Sequence, residues 1–328
     1  MKIIDQMHEK DLNSLLVLNP YNITYLTNFR PSSIAALLIT DKPVLFVSKM
    51  EIDDANMSTN VDVEEFKSLD KIKDMMKGKV GIESTMNIGT YEKLKKDSSA
   101  DLKITNIIDD MRQIKTKYEL RTIIKSLRIA EESLKYVDFI KSESDVAAEI
   151  EYFMRLNGAS KASFDTIVAS GTRSSLPHAT PTSQFIETPI LIDWGAEYNN
   201  YCSDISRTFI ENENHVEIFN IVREAQKKAI NAIKPGVKAS YIDKVARDVI
   251  EEYGFEKSFI HSTGHGVGLE IHEGPSISKN ETVKLQKGMV ITIEPGIYLE
   301  NEFGVRLENM IHVSNKGNVL NKLKSKIN

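Results

Sequence analysis

Two runs of branched apolar residues in this chain stop on an acid. Ile190-Leu191-Ile192 ends at Asp193, and Val290 to Ile293 ends at Glu294. Short apolar runs of this kind read as buried strands, so each carboxylate enters or borders a buried region. An isolated buried carboxylate is costly and needs a cation or several donors. Two more acids extend the pattern: Asp204, eleven residues after Asp193, and Glu308 in Arg306-Leu307-Glu308-Asn309. His265 stands between glycines in Gly264-His265-Gly266-Val267-Gly268. Four gathered acids repel one another, and divalent cations relieve this because each brings two positive charges and takes oxygen ligands. Four carboxylates and one imidazole are too many for one tetrahedral zinc. They suit two carboxylate-bridged ions of the oxygen-preferring kind, Mn²⁺ or Co²⁺, which can hold and activate one water. Taken singly, each residue has a plainer reading. Asp193 before Trp194-Gly195 is a turn or cap, Glu294 before Pro295-Gly296 a strand end, and Arg306 with Glu308 a surface ion pair. Order, spacing and context together carry the signal.

The chain around these residues reads as two domains. Its 328 residues exceed one ordinary domain, and 41% hydrophobic content is enough to bury a core. In the first part, Ser14 to Leu18 reads as a strand ending at Asn19-Pro20. Ile34 to Ile39 and Pro43 to Ser48 read as a hairpin, Leu69 to Lys77 as a helix and Lys79 to Ile82 as a strand. From Tyr118 the period changes to helical, over Glu119 to Ile140. A second helix is expected over Ser144 to Leu156, capped by Ser144, and two more over Val216 to Ile233 and Ser240 to Tyr253. Strands are expected at Ile167 to Ala169, Pro189 to Asp193, Met289 to Glu294 and Val305 to Val313. The join falls in Asp109 to Lys117, giving domains 1–112 and 113–328. The second holds nearly all the readable chemistry.

Lys plus Arg total 42 and Asp plus Glu total 47, a net charge of −5. That argues against a dedicated nucleic-acid binder, which carries a basic surplus. Cys202 is the single cysteine, so an internal disulfide and a cysteine-rich zinc site are excluded. Met1 to Asp11 lacks a signal-peptide core, and Ile34 to Ile39, the longest apolar stretch, is too short to span a bilayer. A cytoplasmic protein with no membrane partner is expected.

Asp193, Asp204, His265, Glu294 and Glu308 resemble the five-ligand set of the pita-bread metallopeptidases. Phe164-Asp165-Thr166-Ile167-Val168-Ala169-Ser170-Gly171, Leu176-Pro177-His178 and His261-Ser262-Thr263-Gly264-His265 are similar to the proline-specific branch. So are Ile271-His272-Glu273, Ile293-Glu294-Pro295-Gly296-Ile297-Tyr298 and Val305-Arg306-Leu307-Glu308-Asn309. The resemblance covers residues 118 to 315 closely. It reaches the first domain through Tyr25-Leu26-Thr27-Asn28-Phe29, similar to the family's creatinase-like N-terminal domain. The implied fold is α/β (α+β): a creatinase-like mixed α/β domain followed by a pita-bread catalytic domain.

The resemblance implies the roles. Asp193 chelates one metal, Asp204 and Glu308 bridge both, and His265 and Glu294 complete the other. The ions would be Mn²⁺ foremost, with Co²⁺ or Zn²⁺ as alternatives. Glu294 is the implied general base in hydrolysis of a Xaa-Pro bond. His261 or His272 would donate to the developing oxyanion, His178 is the outer histidine near substrate, and Arg306 orients a ligand carboxylate. The glycines beside His265 are expected to let the backbone approach the metal. His8, His215 and His312 are expected to be surface or structural. Cys202, on the strand face of Asp204, is expected to be a small buried filler. Small proline-containing peptides are the implied partners, and a homodimer the implied assembly. One departure stands out: Ser276 follows His272-Glu273-Gly274-Pro275, where some prolidases carry an arginine that binds a dipeptide's carboxylate. Longer Xaa-Pro peptides are therefore admitted. Rival readings are a creatinase-like amidinohydrolase, a metal-free protein-interaction module and a methionine aminopeptidase. The five intact ligands argue against the first two, and the extra N-terminal domain against the third. Two bound divalent ions would move the formal charge from −5 to about −1.

Overall fold

A computed structural model describes residues 2–96, 98–211 and 213–324. By its internal contacts the chain divides between Arg112 and Gln113. Among the described residues no helix is long and apolar enough to cross a membrane.

The first unit is a six-stranded sheet between helices. Its strands are β1 (Ser14–Val17), β2 (Ala35–Ile39), β3 (Val44–Val47), β4 (Asp62–Glu65), β5 (Lys79–Glu83) and β6 (Asp101–Thr105), in the order β4-β3-β2-β1-β5-β6. β1, β5 and β6 run parallel, whereas β2 is antiparallel to both β1 and β3. Successive side chains of a strand face opposite ways. Leu15 and Val17 therefore enter one core with Ile3, Met7 and Ile23, while Leu16 enters the other with Ile72, Met76 and Leu94. Both faces are covered, which is why β1 and β2 are continuous apolar runs and not alternating ones. The covering helices are α1 (Lys2–Glu9), α2 (Pro20–Thr27), α3 (Ile52–Ser58), α4 (Leu69–Met75), α5 (Ile88–Lys95) and α6 (Ile107–Gln113).

The second unit opens with α7 (Lys117–Ser133) and α8 (Glu143–Leu156). The helical period that the sequence carries to Ile140 stops at Ser133, whose Oγ donates back to Ala130 O at 2.8 Å. A 3₁₀ turn, Leu134–Tyr136, follows and Val137 is extended. A hydroxyl bonding the preceding turn competes with helix continuation. The cap of α8 is Ser142 and not Ser144. Ser142 Oγ accepts from Asp145 N (3.2 Å) while Asp145 Oδ2 accepts from Ser142 N (3.2 Å). Ser144 has Ala147 three residues on and cannot form this reciprocal box.

Next come β7 (Lys161–Ala162), β8 (Ile167–Ser170), β9 (Ile190–Trp194), β10 (Ala196–Tyr198), β11 (Tyr201–Cys202) and β12 (Ile205–Phe209). β9 lies between β8 and β12, while β10 lies between β11 and β7. The helices α9 (Glu213–Ala232) and α10 (Ala239–Glu252) pack on each other. The chain then makes β13 (Gly264–Gly266), β14 (Glu273–Ile277), β15 (Val290–Ile293), β16 (Gly296–Leu299), β17 (Phe303–Arg306), β18 (Asn309–Val313) and β19 (Gly317–Val319). One core joins Phe219, Val222 and Ile250 of the helices to Ile291, Ile293, Val305 and Ile311 of the strands.

The run Val305 to Val313, read from the sequence as one strand, is two. β17 pairs with β16 and β18 with β15, and the chain crosses between the two ladders at Leu307-Glu308. On the other strand it crosses at Glu294-Pro295. Proline donates no hydrogen bond, so a ladder breaks there readily. The β9–β12 ladder behaves alike: Trp194 faces Ile205, and beyond that pair the chain leaves for β10 and β11. Three of the four acids, Asp204, Glu294 and Glu308, thus sit where a ladder breaks and backbone direction changes, and Asp193 lies one residue before the end of its strand.

Candidate metal centre

All nine residues singled out in the sequence line one cavity of about 680 Å³. Asp204, His265 and Glu308 offer ligand atoms that lie within 4.8 Å of one another. His265 Nε2 is 3.4 Å from Asp204 Oδ2 and 3.3 Å from Glu294 Oε1. His265 Nδ1 is 3.0 Å from Gly266 O, which can only accept, so Nδ1 carries the proton. A neutral ring would turn its Nε2 lone pair on two carboxylate oxygens, so either a second ring proton or a metal ion must answer them.

The acids show the same deficit. Asp193 Oδ2 accepts from Arg306 Nη2 at 2.5 Å, and Glu308 Oε2 accepts from Ser206 Oγ at 3.1 Å. The second oxygen of each, Asp193 Oδ1 and Glu308 Oε1, is buried with no hydrogen-bond partner. A buried unsatisfied carboxylate oxygen costs more than a hydrogen bond returns. A divalent ion satisfies such oxygens directly, so this donor set fits hard cations with a preference for oxygen.

Protonation follows from the same crowding. Burial, then the charges of Asp193 and Glu294, push Asp204 up to about 7 against the pull of His265. Burial and the charges of Asp204, Glu294 and Asp193 hold Glu308 well above the carboxylate range. Burial depresses His265, yet the bonds and charges of Asp204 and Glu294 outweigh it and raise the ring well above its ordinary value. Burial also lifts Glu294, but His265, His261 and Arg306 bring it down to about 2. Without a cation, the crowding favours the protonated forms of Asp204, Glu308 and His265.

The surface-pair reading of Arg306 and Glu308 is wrong. They are 3% and 1% exposed, and Arg306 bonds Asp193 instead. Its Nε donates to Ser206 Oγ (2.9 Å), and its Nη1 to Pro177 O (3.1 Å) and Tyr298 Oη (2.7 Å). Tyr298 carries a part that the sequence did not suggest. Its Oη lies 2.9 Å from His261 Nε2, while His261 Nδ1 lies 2.8 Å from Ser262 O. Burial keeps His261 neutral and lifts Tyr298 to about 12. Tyr298 therefore donates to Nε2, and His261 has no proton to offer an oxyanion, contrary to expectation. His272 and His178 are exposed in the cavity. Burial and the charge of His265 lower His272 toward its neutral form, and its ring centroid stands 4.3 Å from that of His265.

Thr292 was also missed: its Oγ1 donates to Glu294 Oε1 and accepts from His265 N, both at 3.1 Å. Its place two residues before Glu294 was the available signal. The glycines beside His265 are required by the close approach of neighbouring strands. A Cβ on Gly264 would stand 2.1 Å from Thr292 O, and one on Gly266 2.2 Å from Gly274 O. Cys202 is buried, its Sγ donating to Leu269 O at 3.7 Å. β11 ends at Cys202, so it shares no strand with Asp204.

Residues 121–315 match the model of metallopeptidase family M24, and residues 1–114 match the Creatinase/Prolidase N-terminal domain. The chain belongs to metallopeptidase family M24, with the creatinase-like first domain and pita-bread catalytic fold expected of that branch. It is 41% identical over 297 residues to the Xaa-Pro dipeptidase of Pyrococcus horikoshii, covering 86% of this chain and 85% of that one. The crystal structure of a prolidase from the same organism superposes with a TM-score of 0.94 at 40% identity, covering 100% and 99% of the two chains. The X-Pro aminopeptidase of Thermotoga maritima gives 0.92 at 31% identity, covering 99% and 98%. Fold alone does not separate those two activities.

Proposed function

We propose that this chain hydrolyses the Xaa-Pro bond of dipeptides, using two divalent ions, Mn²⁺ foremost, held by Asp193, Asp204, His265, Glu294 and Glu308. The observation that carries the reading is the pair of buried, partnerless oxygens on Asp193 and Glu308, beside a His265 nitrogen aimed at carboxylates. The named activities of the two Pyrococcus horikoshii proteins, an Xaa-Pro dipeptidase and a prolidase, support the substrate.

Divalent ions in such a centre supply Lewis acidity and bring the pKa of water toward neutrality. Glu294, fixed by Thr292, is the base that takes the proton of the attacking water. The protonated His265 is a main cause of the low pKa of Glu294, and an imidazole that ligates through Nε2 is neutral, so that cause disappears. Arg306 fixes Asp193, and through Tyr298 it fixes the ring of His261. Donation to the developing oxyanion falls to His272, and His178 is the outer histidine that lines the substrate side of the cavity. A homodimer in the cytoplasm completes the proposal.

One observation favours a broader substrate range. Arg306 is the sole Lys or Arg among the described cavity residues, and Asp193, Tyr298, Ser206 and Pro177 already engage it. Among the described cavity residues no guanidinium is left to read a dipeptide's carboxylate, which supports cleavage of Xaa-Pro-Xaa tripeptides as well. The test is chelation followed by add-back of Mn²⁺, Co²⁺ or Zn²⁺, with Xaa-Pro, Xaa-Pro-Xaa and Met-Ala peptides compared. Turnover of Xaa-Pro restored by metal, and its loss in Glu294→Ala, is expected. No cleavage of any Xaa-Pro substrate with any of the three metals removes the proposal.

A further inference from the structure

Glu143, the first residue of α8, is fully buried and does not line the cavity. Its Oε1 accepts from Ser170 N (2.8 Å) and Ser170 Oγ (3.1 Å). Its Oε2 accepts from Thr182 N (3.0 Å) and Thr182 Oγ1 (2.8 Å). Arg173 Nε reaches both oxygens, at 3.3 and 3.0 Å. Ser170 ends β8, and Thr182 follows Pro181. One carboxylate therefore grips both feet of the segment 171–181. Between those feet, Pro177 to Pro181 form one wall of the cavity, with His178 on it. Two guanidinium contacts brace the wall: Arg173 Nη2 to Thr180 O (2.6 Å) and Arg306 Nη1 to Pro177 O (3.1 Å). Backbone bonds from Glu143 N to Gln184 O and from Ser144 N to Thr182 O, each 2.9 Å, extend the grip.

The charge matters because bonds to a carboxylate are about twice as strong as neutral ones. Any rearrangement of the wall that frees Ser170 or Thr182 leaves a buried anion short of donors, and that is costly. Unlike Glu308, this acid has no oxygen to spare for a ligand.

We propose that Glu143 is a positioning residue: it fixes the shape of the wall that bears His178, and so governs substrate binding without touching substrate or metal. The inference rests on the reading of the cavity as a peptide site. Glu143→Gln keeps the volume and removes the charge. It is expected to raise KM for Xaa-Pro about tenfold, inside the roughly 10²-fold that a misplacement of about 1 Å can cost. kcat should stay within about threefold and Mn²⁺ affinity, read by calorimetry, within about twofold. Thr182→Val, which loosens one foot, and Arg173→Ala, which removes the guanidinium that bridges both carboxylate oxygens, should raise KM less and add little to Glu143→Gln, as members of one network do. These two decide the matter should Glu143→Gln not fold. A wild-type KM in all three variants, or a rise in KM matched by loss of Mn²⁺ affinity, overturns the proposal. His178→Ala separates wall from histidine: if it keeps a wild-type KM while Glu143→Gln does not, the clamp stands on wall shape alone. Failure of the peptidase reading looks different, because the unaltered protein then cleaves no Xaa-Pro substrate.

Discussion

Glu83 in the first unit and Glu308 in the second are both buried acids, 4% and 1% exposed. Glu83 is answered by the protein. Leu18 N (2.7 Å) and Asn19 N (2.9 Å) donate to one oxygen, and Asn22 Nδ2 (2.7 Å) to the other. Glu308 receives only Ser206 Oγ, and its second oxygen has nothing. Burial of an acid therefore does not mark chemistry. A deficit of donors is the better marker, because an unanswered buried oxygen is open to a cation. The pair predicts opposite outcomes for one substitution. Glu308→Gln should abolish metal-dependent turnover, by about 10³-fold or more as for loss of a charged group central to a reaction, while the metal-free protein keeps its stability or gains some. Glu83→Gln should leave kcat and KM unchanged and cost roughly 1–3 kcal/mol in urea unfolding, the cost of disturbing a satisfied buried group. Activity in Glu308→Gln with a full complement of Mn²⁺ breaks the contrast.

The two regions also part in their response to pH. Burial raises Glu83, and in the second unit it helps to raise Asp204 to about 7 from 3.8 and Glu308 well above 4.5. An acid whose folded pKa exceeds its unfolded one binds more protons when folded, so stability falls as pH climbs between the two values. His265, raised above 6.5, acts in the same sense: its contribution is complete below 6.5 and disappears as pH passes its folded value. Glu294 has the opposite sign, contributing above 4.5 and losing its contribution as pH falls toward 2. Metal-free protein should thus lose stability between about pH 4 and 8, by an amount on the order of a few kcal/mol. Mn²⁺ should flatten the part due to the second unit and leave the part due to Glu83. Equal slopes of thermal midpoint against pH with and without Mn²⁺ would mean that Asp204 and Glu308 do not face a bound cation.

What could be read in the sequence follows the same physics. Asp193 and Glu294 were legible because an acid at the end of a branched apolar run is a local anomaly. Glu308 was legible as a residue but not in its setting, since Val305 to Val313 reads as one strand and the break depends on which neighbours each half pairs with. Tyr298 and Glu143 were not legible. Tyr298 acts through contacts with Arg306 and His261, which are eight and 37 residues away, and Glu143 through partners 27 and 39 residues away. Neither breaks a local rule: a tyrosine in a strand and a glutamate in the first turn of a helix are ordinary. The cap of α8 failed for a smaller reason, two serines flanking one acid, decided by the Asp145 side chain.

The smallest expected effects come from one polar side chain in each region. Asn19 caps α2, its Oδ1 accepting from Tyr21 N (2.8 Å) and Asn22 N (3.4 Å), and Asn22 in turn holds Glu83. Asn19→Ala should cost about 1 kcal/mol of stability, as lost caps do, with kinetics unchanged. Thr292 sits between the His265 amide and Glu294. Thr292→Val keeps the shape of the side chain and removes both bonds. Its stability cost should be similar, about 1 kcal/mol, but on the proposed roles kcat/KM should also fall by about three- to tenfold, because the proposed base Glu294 and the proposed ligand His265 lose their shared anchor. Equal losses of stability with unequal losses of activity would locate the difference in the chemistry of the second unit. If Thr292→Val retains full kcat/KM, the orientation of Glu294 does not depend on it, and the metal ligation alone must hold the base in place.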